Sequence, residues 1–526
     1  MMPSVSDALE HPRKVISSLY QAQDIDIFPG IVTAHFNSIF KSKDTFQQIP
    51  SLNLQRPPQS FPDGSLVVFN AMVQDTSLSP ELYLAVLNNG ACGGWGISEG
   101  AIAGDRVRHE YLRECNVFWA VSIPGLSSWC LDQELVDSVH YQSTQPNKFP
   151  VPNASHIGVQ LKIYDSQLAR PIRATDVMSF VGILTSEPFH INADLTNFIH
   201  VPTLHVLYTA PLPSTIVPRS FPDKSLSIVK TVRQELIQWI AREALAGDLI
   251  ASEWVLLCAL ARVRSRHPPV LPLSMTLSSF PSPVDNLNST PALYHTLSQV
   301  FPLVSFVPLS LETLNNVQFS PESKDEDLHS GYLQHPKGSI LLLTEGQVTE
   351  GGIFNKGIMN IRSTQEMMRE QTLSYVFPFC NFQFETDVNF LVTTEGKRST
   401  FFQTGVNVPF RPTSSGDPRK TLYKPREAIV LPSPEKLSQF RRLVGGSKIG
   451  NVLLGEELGK HVEEDFIRER SSTNREVNSI HIFSPDDLVK RMILARLVAL
   501  SFHQAEVTID NWERAKALEG QIKFDV

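Results

Sequence analysis

The sequence predicts a multidomain α/β plus β architecture: an OB-like β-barrel region, then an α/β core, then a C-terminal helical lid. Three observations carry this. Five short runs rich in β-branched and aromatic residues fall between residues 65 and 184, separated by long loops, which is the pattern of a small Greek-key barrel. Past a cluster of prolines, helical periodicity alternates with apolar strands, the mark of a parallel α/β layer. After Pro432 the pattern is helical to the end.

Residues 1–55 carry one helical stretch, 15–23, and otherwise read as irregular. The barrel region, 56–200, holds the strand-like runs 65–69, 82–87, 117–123, 158–164 and 177–184. Its glycine-rich connector 91–104 reads as an inserted loop. Pro202, Pro211, Pro213, Pro218 and Pro222 mark a Pro-rich linker over 201–226. In the α/β region, 227–430, Val232, Leu236, Ile237, Ile240, Ala244 and Leu245 repeat at helical spacing. Gly247 ends that helix, and Asp248 caps a second one through Trp254, Leu257, Leu260 and Ala261. Leu271, Leu273, Met275 and Leu277 alternate as a strand; 339–343 and 388–392 are two more, with a polar helical stretch at 363–370 between them.

The helical lid, 431–526, contains the start signal Ser484-Pro485-Asp486-Asp487. It combines an N-cap serine, a proline in the first turn and carboxylates near the positive helix end. At about 100° per residue, Leu488, Val489, Met492, Ile493, Ala499 and Leu500 share one face, and Arg496 projects from its middle. A guanidinium in an apolar arc must be paired, because an unpartnered buried charge costs several kcal/mol. Arg496 is therefore expected to be largely buried and hydrogen-bonded to Asp, Glu or backbone carbonyls of its own chain.

Composition narrows the function. The chain has 526 residues and a charge balance of 46 − 54 = −8, which argues against a polyelectrolyte clamp on nucleic acid. A hydrophobic share of 42% excludes wholesale disorder. No uncharged apolar run approaches the ~18 residues of a membrane span, and the start MMPSVSDALEHPRK has no apolar signal region. The expectation is a soluble intracellular protein. Cys92, Cys115, Cys130, Cys258 and Cys380 are odd in number and include no CxxC pair. They read as buried reduced thiols rather than a disulfide frame or zinc site.

Three catalytic motifs fail on inspection. Gly96-Ile97-Ser98-Glu99-Gly100 matches a nucleophile elbow, but a Gly-rich loop precedes it where a strand is required. A phosphate loop needs glycines and a lysine after a strand, yet 248–330 contains no glycine and only one lysine, Lys324. The strand 339–343 followed by Thr344-Glu345 has the shape of a Walker B segment. Its metal-holding carboxylate position is Thr344, which cannot take that role.

Met72-Val73-Gln74-Asp75 followed by Pro80-Glu81-Leu82-Tyr83-Leu84 resembles the corresponding segment of the MCM-binding protein family, the nuclear partners of the mini-chromosome maintenance (MCM) helicase subunits. Further matches follow in order: Val121-Ser122-Ile123-Pro124-Gly125 before Trp129, Val181-Gly182-Ile183-Leu184 before Glu187-Pro188, and Leu204-His205-Val206-Leu207-Tyr208. Later ones are Leu271-Pro272-Leu273 through Pro281, Thr393-Thr394-Glu395-Gly396, and Ser484-Pro485-Asp486-Asp487-Leu488 with Ala495-Arg496-Leu497. The resemblance spans roughly 15–522.

That family is itself similar to an MCM subunit with its motor disabled, so the resemblance implies a degenerate AAA+-like core. Met368 to Ser374 resembles the MCM segment after Walker B, and 388–392 takes the place of the sensor strand, ending in Thr393-Thr394-Glu395 instead of Asn. Gln439 stands where the arginine finger would be, with Arg441 and Arg442 close by. The implied function is non-catalytic: binding MCM helicase subunits and regulating assembly or chromatin unloading of the helicase, in support of DNA replication, cell division and sister-chromatid cohesion. Chromatin association would be indirect and residence nuclear, although no compact Lys/Arg signal is present. The resemblance implies no catalytic, cofactor-binding or metal residues, no cofactor, and neither a membrane nor a small-molecule substrate. Two alternatives stand beside it. One is an OB-fold single-stranded nucleic-acid-binding protein using Phe69, Tyr83, Phe118, Trp119, Tyr164 and Phe180 as stacking groups, although these residues fit a core better. The other is a weak AAA+ ATPase.

Overall fold

The computed structural model describes residues 4–21, 24–97, 108–130, 141, 143–190, 198–212, 219–224, 226, 228–283, 289–324, 327–346, 348, 350–413, 415–473 and 484–523. Runs of β-branched and aromatic residues form β1 (Ser65–Asp75), β2 (Glu81–Leu84), β3 (Leu112–Ser122), β4 (Gly158–Ile163), β5 (Val177–His190) and β6 (Phe198–Pro211). The sheet runs β1-β5-β6-β4-β3-β2, and β3 returns to pair with β1, closing a barrel with β2 attached outside the closure. The β4–β6 pair is parallel, while the other neighbours are antiparallel. At the β5 bulge a Cβ on Gly182 would lie 2.4 Å from the His205 carbonyl oxygen, so only glycine fits there.

Both faces of the barrel wall are covered, which explains why β1 reads as a nearly continuous apolar run. Val67, Phe69, Ala71 and Val73 share one cluster with Phe118, Leu161, Phe180 and Leu204. Leu66 and Val68 point the other way, onto Val15, Ile16, Phe28, Val32 and Phe36. Those last five belong to α2 (Pro12–Leu19) and α3 (Phe28–Ile39), which follow α1 (Val5–Glu10). The first 55 residues are thus mainly helical and cap the barrel. Of the expected helix 15–23, only the part to Leu19 is helical, and residues 22–23 lie outside the described set.

One boundary needs correction. Residues 201–211, expected as the start of the linker 201–226, are most of β6, which pairs with β5 from Phe198 to Pro211. Pro202 sits one residue before pairing with β4 begins, and Pro211 ends the strand. A strand tolerates a residue without an N–H at such positions. Of the rest of that linker, 213–218 and 225 fall outside the described residues, as do Ser98, Glu99 and Gly100 of the serine motif.

The second half begins with α4 (Val229–Ala244) and α5 (Leu249–Leu260), the latter capped by the Asp248 side chain on the Ala251 N–H at 2.9 Å. Five parallel strands follow: β7 (Met275–Ser278), β8 (Val304–Pro308), β9 (Ser339–Thr344), β10 (Val388–Thr393) and β11 (Val406–Pro409), ordered β8-β9-β10-β7-β11. The expected strand 271–277 is shorter, and the expected helix 363–370 is longer, as α6 (Asn355–Glu370). Alternation along β9 serves two cores. Ile340 and Leu342 meet α4, α5 and the C-terminal helices, whereas Leu341 and Leu343 meet Met367 and Met368 of α6.

The C-terminal helices are α7 (Pro434–Ile449), α8 (Glu456–Thr473), α9 (Pro485–Ser501) and α10 (Ile509–Lys523). Ser484 forms a capping box with Asp487, as its sequence signature predicts. The buried arc of α9 differs from the expected one. It runs through Arg491, Leu494, Ala495 and Val498, at i, i+3, i+4 and i+7, whereas Val489 is 50% exposed. Apolar residues surround this helix, so composition alone does not set its rotation. Arg491 is accordingly the buried arginine, paired with Glu469 at 3.0 Å and Glu519 at 2.9 Å. Arg496 is half-buried and donates to the Val452 carbonyl at 3.3 Å. Its expected bond to a backbone carbonyl is present, and its expected deep burial is not.

Candidate functional site at the C-terminal edge of the parallel sheet

In open α/β sheets ligands bind outside the carboxyl ends of the strands. Here β7, β10 and β9 are neighbours, so the segments that the sequence resemblance compares with phosphate loop, sensor and Walker B converge on one edge. The edge is laced to itself. Thr394 N–H donates to Leu277 at 3.0 Å, Glu345 N–H to Thr393 at 2.9 Å, Phe280 N–H to Thr394 at 2.9 Å, and Ser279 N–H to Gly396 at 3.0 Å. The Ser282 N–H donates to the Glu395 carboxylate at 2.8 Å. In a phosphate cradle such amides would point at the ligand; here they are satisfied within the chain. The Phe280 ring is buried against Phe410 and Tyr423, with centroids 5.4 and 6.2 Å away. Tyr423 donates its hydroxyl to the Pro281 carbonyl at 2.9 Å, and burial pushes its phenol well above the usual range.

Glu345 is buried and accepts from the Ser399 hydroxyl and, at 2.9 Å, from the Thr400 N–H. It pins the loop that carries Ser399 and Thr400. Asn389, earlier in β10, donates its amide to the Cys258 and Ala259 carbonyls at 2.8 and 2.9 Å. Gln439 is half-buried on α7. Arg441 donates to the Gln299 carbonyl at 2.9 Å and stacks 4.2 Å from the Trp129 ring centroid, and Arg442 pairs with Asp223 at 3.0 Å. Beside the edge lies a cleft of about 1000 Å³ whose lining includes Thr276, Ser278, Lys397, Arg398 and Arg411. Among the described residues no carboxylate, imidazole or thiol lines it, so it presents no acid–base pair.

The thiols are all free. Cys92, Cys115 and Cys258 are buried as expected, whereas Cys130 is half-buried and Cys380 exposed. Burial raises Cys92, pushes Cys115 up to about 11, and pushes Cys130 and Cys258 up to about 12, so none of these four is an activated nucleophile. No three His, Cys, Asp or Glu side chains among the described residues stand where they could hold a metal. No helix among them is long and apolar enough to cross a membrane. Phe69, Phe118, Trp119, Tyr164 and Phe180 are buried and Tyr83 is half-buried, so they serve as core and not as a stacking platform.

A second polar centre, absent from the sequence reading, joins the barrel to the sheet domain. Lys148, with no exposed side-chain surface, reaches Asp75 at 3.1 Å and Asp327 at 2.5 Å. Gln74 donates to the Leu328 carbonyl at 3.1 Å, and Gln334 donates to the Gln74 carbonyl at 2.7 Å and to the Tyr375 hydroxyl at 2.8 Å. Nearby, Ser127 donates to Phe301 at 2.7 Å and Trp129 to Ser298 at 2.8 Å. The available signal was Gln74-Asp75 itself, a polar pair closing an apolar strand.

These features define a multidomain α/β protein in which a β-barrel is locked by buried polar groups to a parallel sheet whose strand ends are engaged internally. The family model described as Mini-chromosome maintenance replisome factor matches residues 36–147 and 132–524, and the chain belongs to that family. It is similar to proteins named Mini-chromosome maintenance complex-binding protein. That of Salmo salar is 25% identical, over 98% of this chain and 97% of the relative. The Homo sapiens protein is 24% identical, over 76% and 68%, and the Arabidopsis thaliana protein 25%, over 70% and 63%.

Proposed function

We propose that this chain binds subunits of the MCM helicase as a non-catalytic partner and regulates helicase assembly or its unloading from chromatin. The observation that carries this is the family match, with relatives named for binding the MCM complex over nearly the full chain. The reading extends to DNA replication, cell division and sister-chromatid cohesion, with nuclear residence and indirect chromatin association. Two features support a scaffold derived from an MCM subunit. A closed barrel with one parallel pair, β4–β6, supports an OB-like N-terminal part. The order β8-β9-β10-β7-β11 supports an AAA+-like core, because it brings the metal, sensor and phosphate positions side by side. The internal use of Glu345 and of the amides after β7 supports the non-catalytic reading. A subunit-like surface without ATP chemistry would then pair with one MCM protomer and withhold it from the ring.

Affinity purification from cells with identification of the captured subunits tests this. Several MCM subunits are expected in the eluate, with single-stranded DNA binding no stronger than that of a neutral control protein. Tight DNA binding with a steep salt dependence and no MCM subunit would overturn the proposal and favour the nucleic-acid alternative.

A further inference from the structure

Where barrel, sheet domain and α7 meet, a cavity of about 70 Å³ opens beside Trp129. A water molecule needs about 10–15 Å³ by the same measure, so the space suits a tetrahedral group of a few heavy atoms. Among the described residues, five charged side chains line it, Arg219, Arg262, Lys337, Arg441 and Lys448, and all five are cationic. The nearby carboxylate and thiol among the described residues do not balance them. Asp387 is committed to Arg262 at 2.8 Å and to the Val263 N–H at 2.9 Å. The Cys130 thiol faces Arg219 and Arg441, but burial pushes it up to about 12, so it stays neutral. Lys448 donates to the Gly338 carbonyl at 2.7 Å and lies 5.6 Å from the Phe301 ring centroid. Arg264, next to Arg262 in the same field, keeps a buried Nη2 without a hydrogen-bond partner. Of the five lining cations, Lys448 is buried, Arg262 and Arg441 are half-buried and Arg219 and Lys337 are exposed. Like charges gathered in a partly desolvated site repel one another, and a bound anion is the direct relief.

We propose that this cavity binds a phosphate-class oxyanion, held between the guanidinium groups of Arg219, Arg262 and Arg441 and the ammonium groups of Lys337 and Lys448. Arginine forks match tetrahedral oxyanions in pairs, and lysine contributes point charge. The site is independent of the MCM-binding reading. Because its ligands come from the segment before α4, the end of α5, the loop before β9 and α7, occupancy would fasten these parts together.

A pH signature follows. Burial, opposed by Asp387 and reinforced by Arg262 and Arg219, lowers Lys448 to about 7. An anion favours its charged form, so binding takes up a proton and strengthens as pH falls through that value. Between pH 8 and pH 6 the charged fraction of a group titrating near 7 rises to about ten times its value.

The test is calorimetric titration of the full chain with sulfate, which keeps its charge over this range, at pH 6 and pH 8, in buffers of different ionisation enthalpy and against chloride at equal ionic strength. Saturable sulfate binding, about tenfold tighter at pH 6 with proton uptake, is expected. Arg219→Gln with Lys337→Gln, two exposed positions, should weaken it at least about tenfold with the fold intact. Lys448→Met, if it folds, should lose the pH dependence. Inorganic phosphate and O-phosphoserine then separate the sources: tighter phosphoserine assigns the site to a phosphoester, tighter phosphate to the free ion. Sulfate behaving like chloride, or unchanged binding in the double variant, would overturn the proposal.

Discussion

Two polar centres of this molecule, the C-terminal edge of the parallel sheet and the junction between barrel and sheet domain, handle charge in opposite ways. At the edge, where a nucleotide motor would keep its carboxylate and amides free for ligand, Glu345 and the amides of Ser279, Phe280 and Ser282 are satisfied internally, and an aromatic ring fills the turn. At the junction, Lys148, Asp75 and Asp327 are brought together from three distant stretches of chain into a buried ion triad. The contrast separates two uses of polar groups: those at the sheet edge bind its own loops, and the buried charges hold two parts of the chain in one arrangement.

The largest expected effect breaks the junction. Lys148→Met strands two carboxylates, and denaturant unfolding should show a loss of about 3–5 kcal/mol; a loss below about 1 kcal/mol would put the triad's weight elsewhere. Next comes acid. His335, adjacent in sequence to Gln334 and fully enclosed, is lowered by burial to about 4. The unfolded chain, titrating near 6.5, binds the proton first, so this contribution is complete above pH 6.5 and fades as pH falls towards 4. Its size is at most about 3 kcal/mol, and His335→Leu should flatten stability across that window, read by thermal melts.

A smaller contrast lies within α9. Arg491→Met should cost about 2–3 kcal/mol, because it leaves Glu469 and Glu519 without their partner in a partly screened site. Arg496→Met should cost about 1 kcal/mol, the worth of one ordinary hydrogen bond; equal losses would erase the distinction between these arginines. The smallest effect belongs to the sheet edge. Glu345→Gln should lose about 1 kcal/mol by loosening the Ser399–Thr400 loop and leave any background ATP turnover unchanged in a phosphate-release assay.

Sequence pattern made the barrel strands and three strands of the parallel sheet legible because β-branched runs and alternation are local signals. Strand β6 escaped because Pro202 and Pro211 look like linker punctuation, and only its pairing with β5 reveals that both belong to the strand. Helix α3 escaped because its stretch reads as irregular, yet Pro29 lies in the first turn, where its missing N–H costs nothing. The departures from phosphate-loop and Walker B motifs were readable residue by residue, since a missing glycine or lysine needs no fold to be seen. The junction was not, because Asp75 and Asp327 meet Lys148 across 73 and 179 residues of chain, a distance no periodicity spans. Arg496 was misjudged because apolar residues surround α9, leaving its rotation to tertiary packing.

The central claim is that this chain acts as a binding partner and not as a motor. Mixing the purified chain with individual purified MCM subunits in nucleotide-free buffer, and weighing the products by mass photometry, tests it directly. The account predicts a discrete complex with at least one subunit, formed equally well by the wild type and by Glu345→Gln. Absence of any complex, or a complex that requires ATP and is lost in Glu345→Gln, would contradict it.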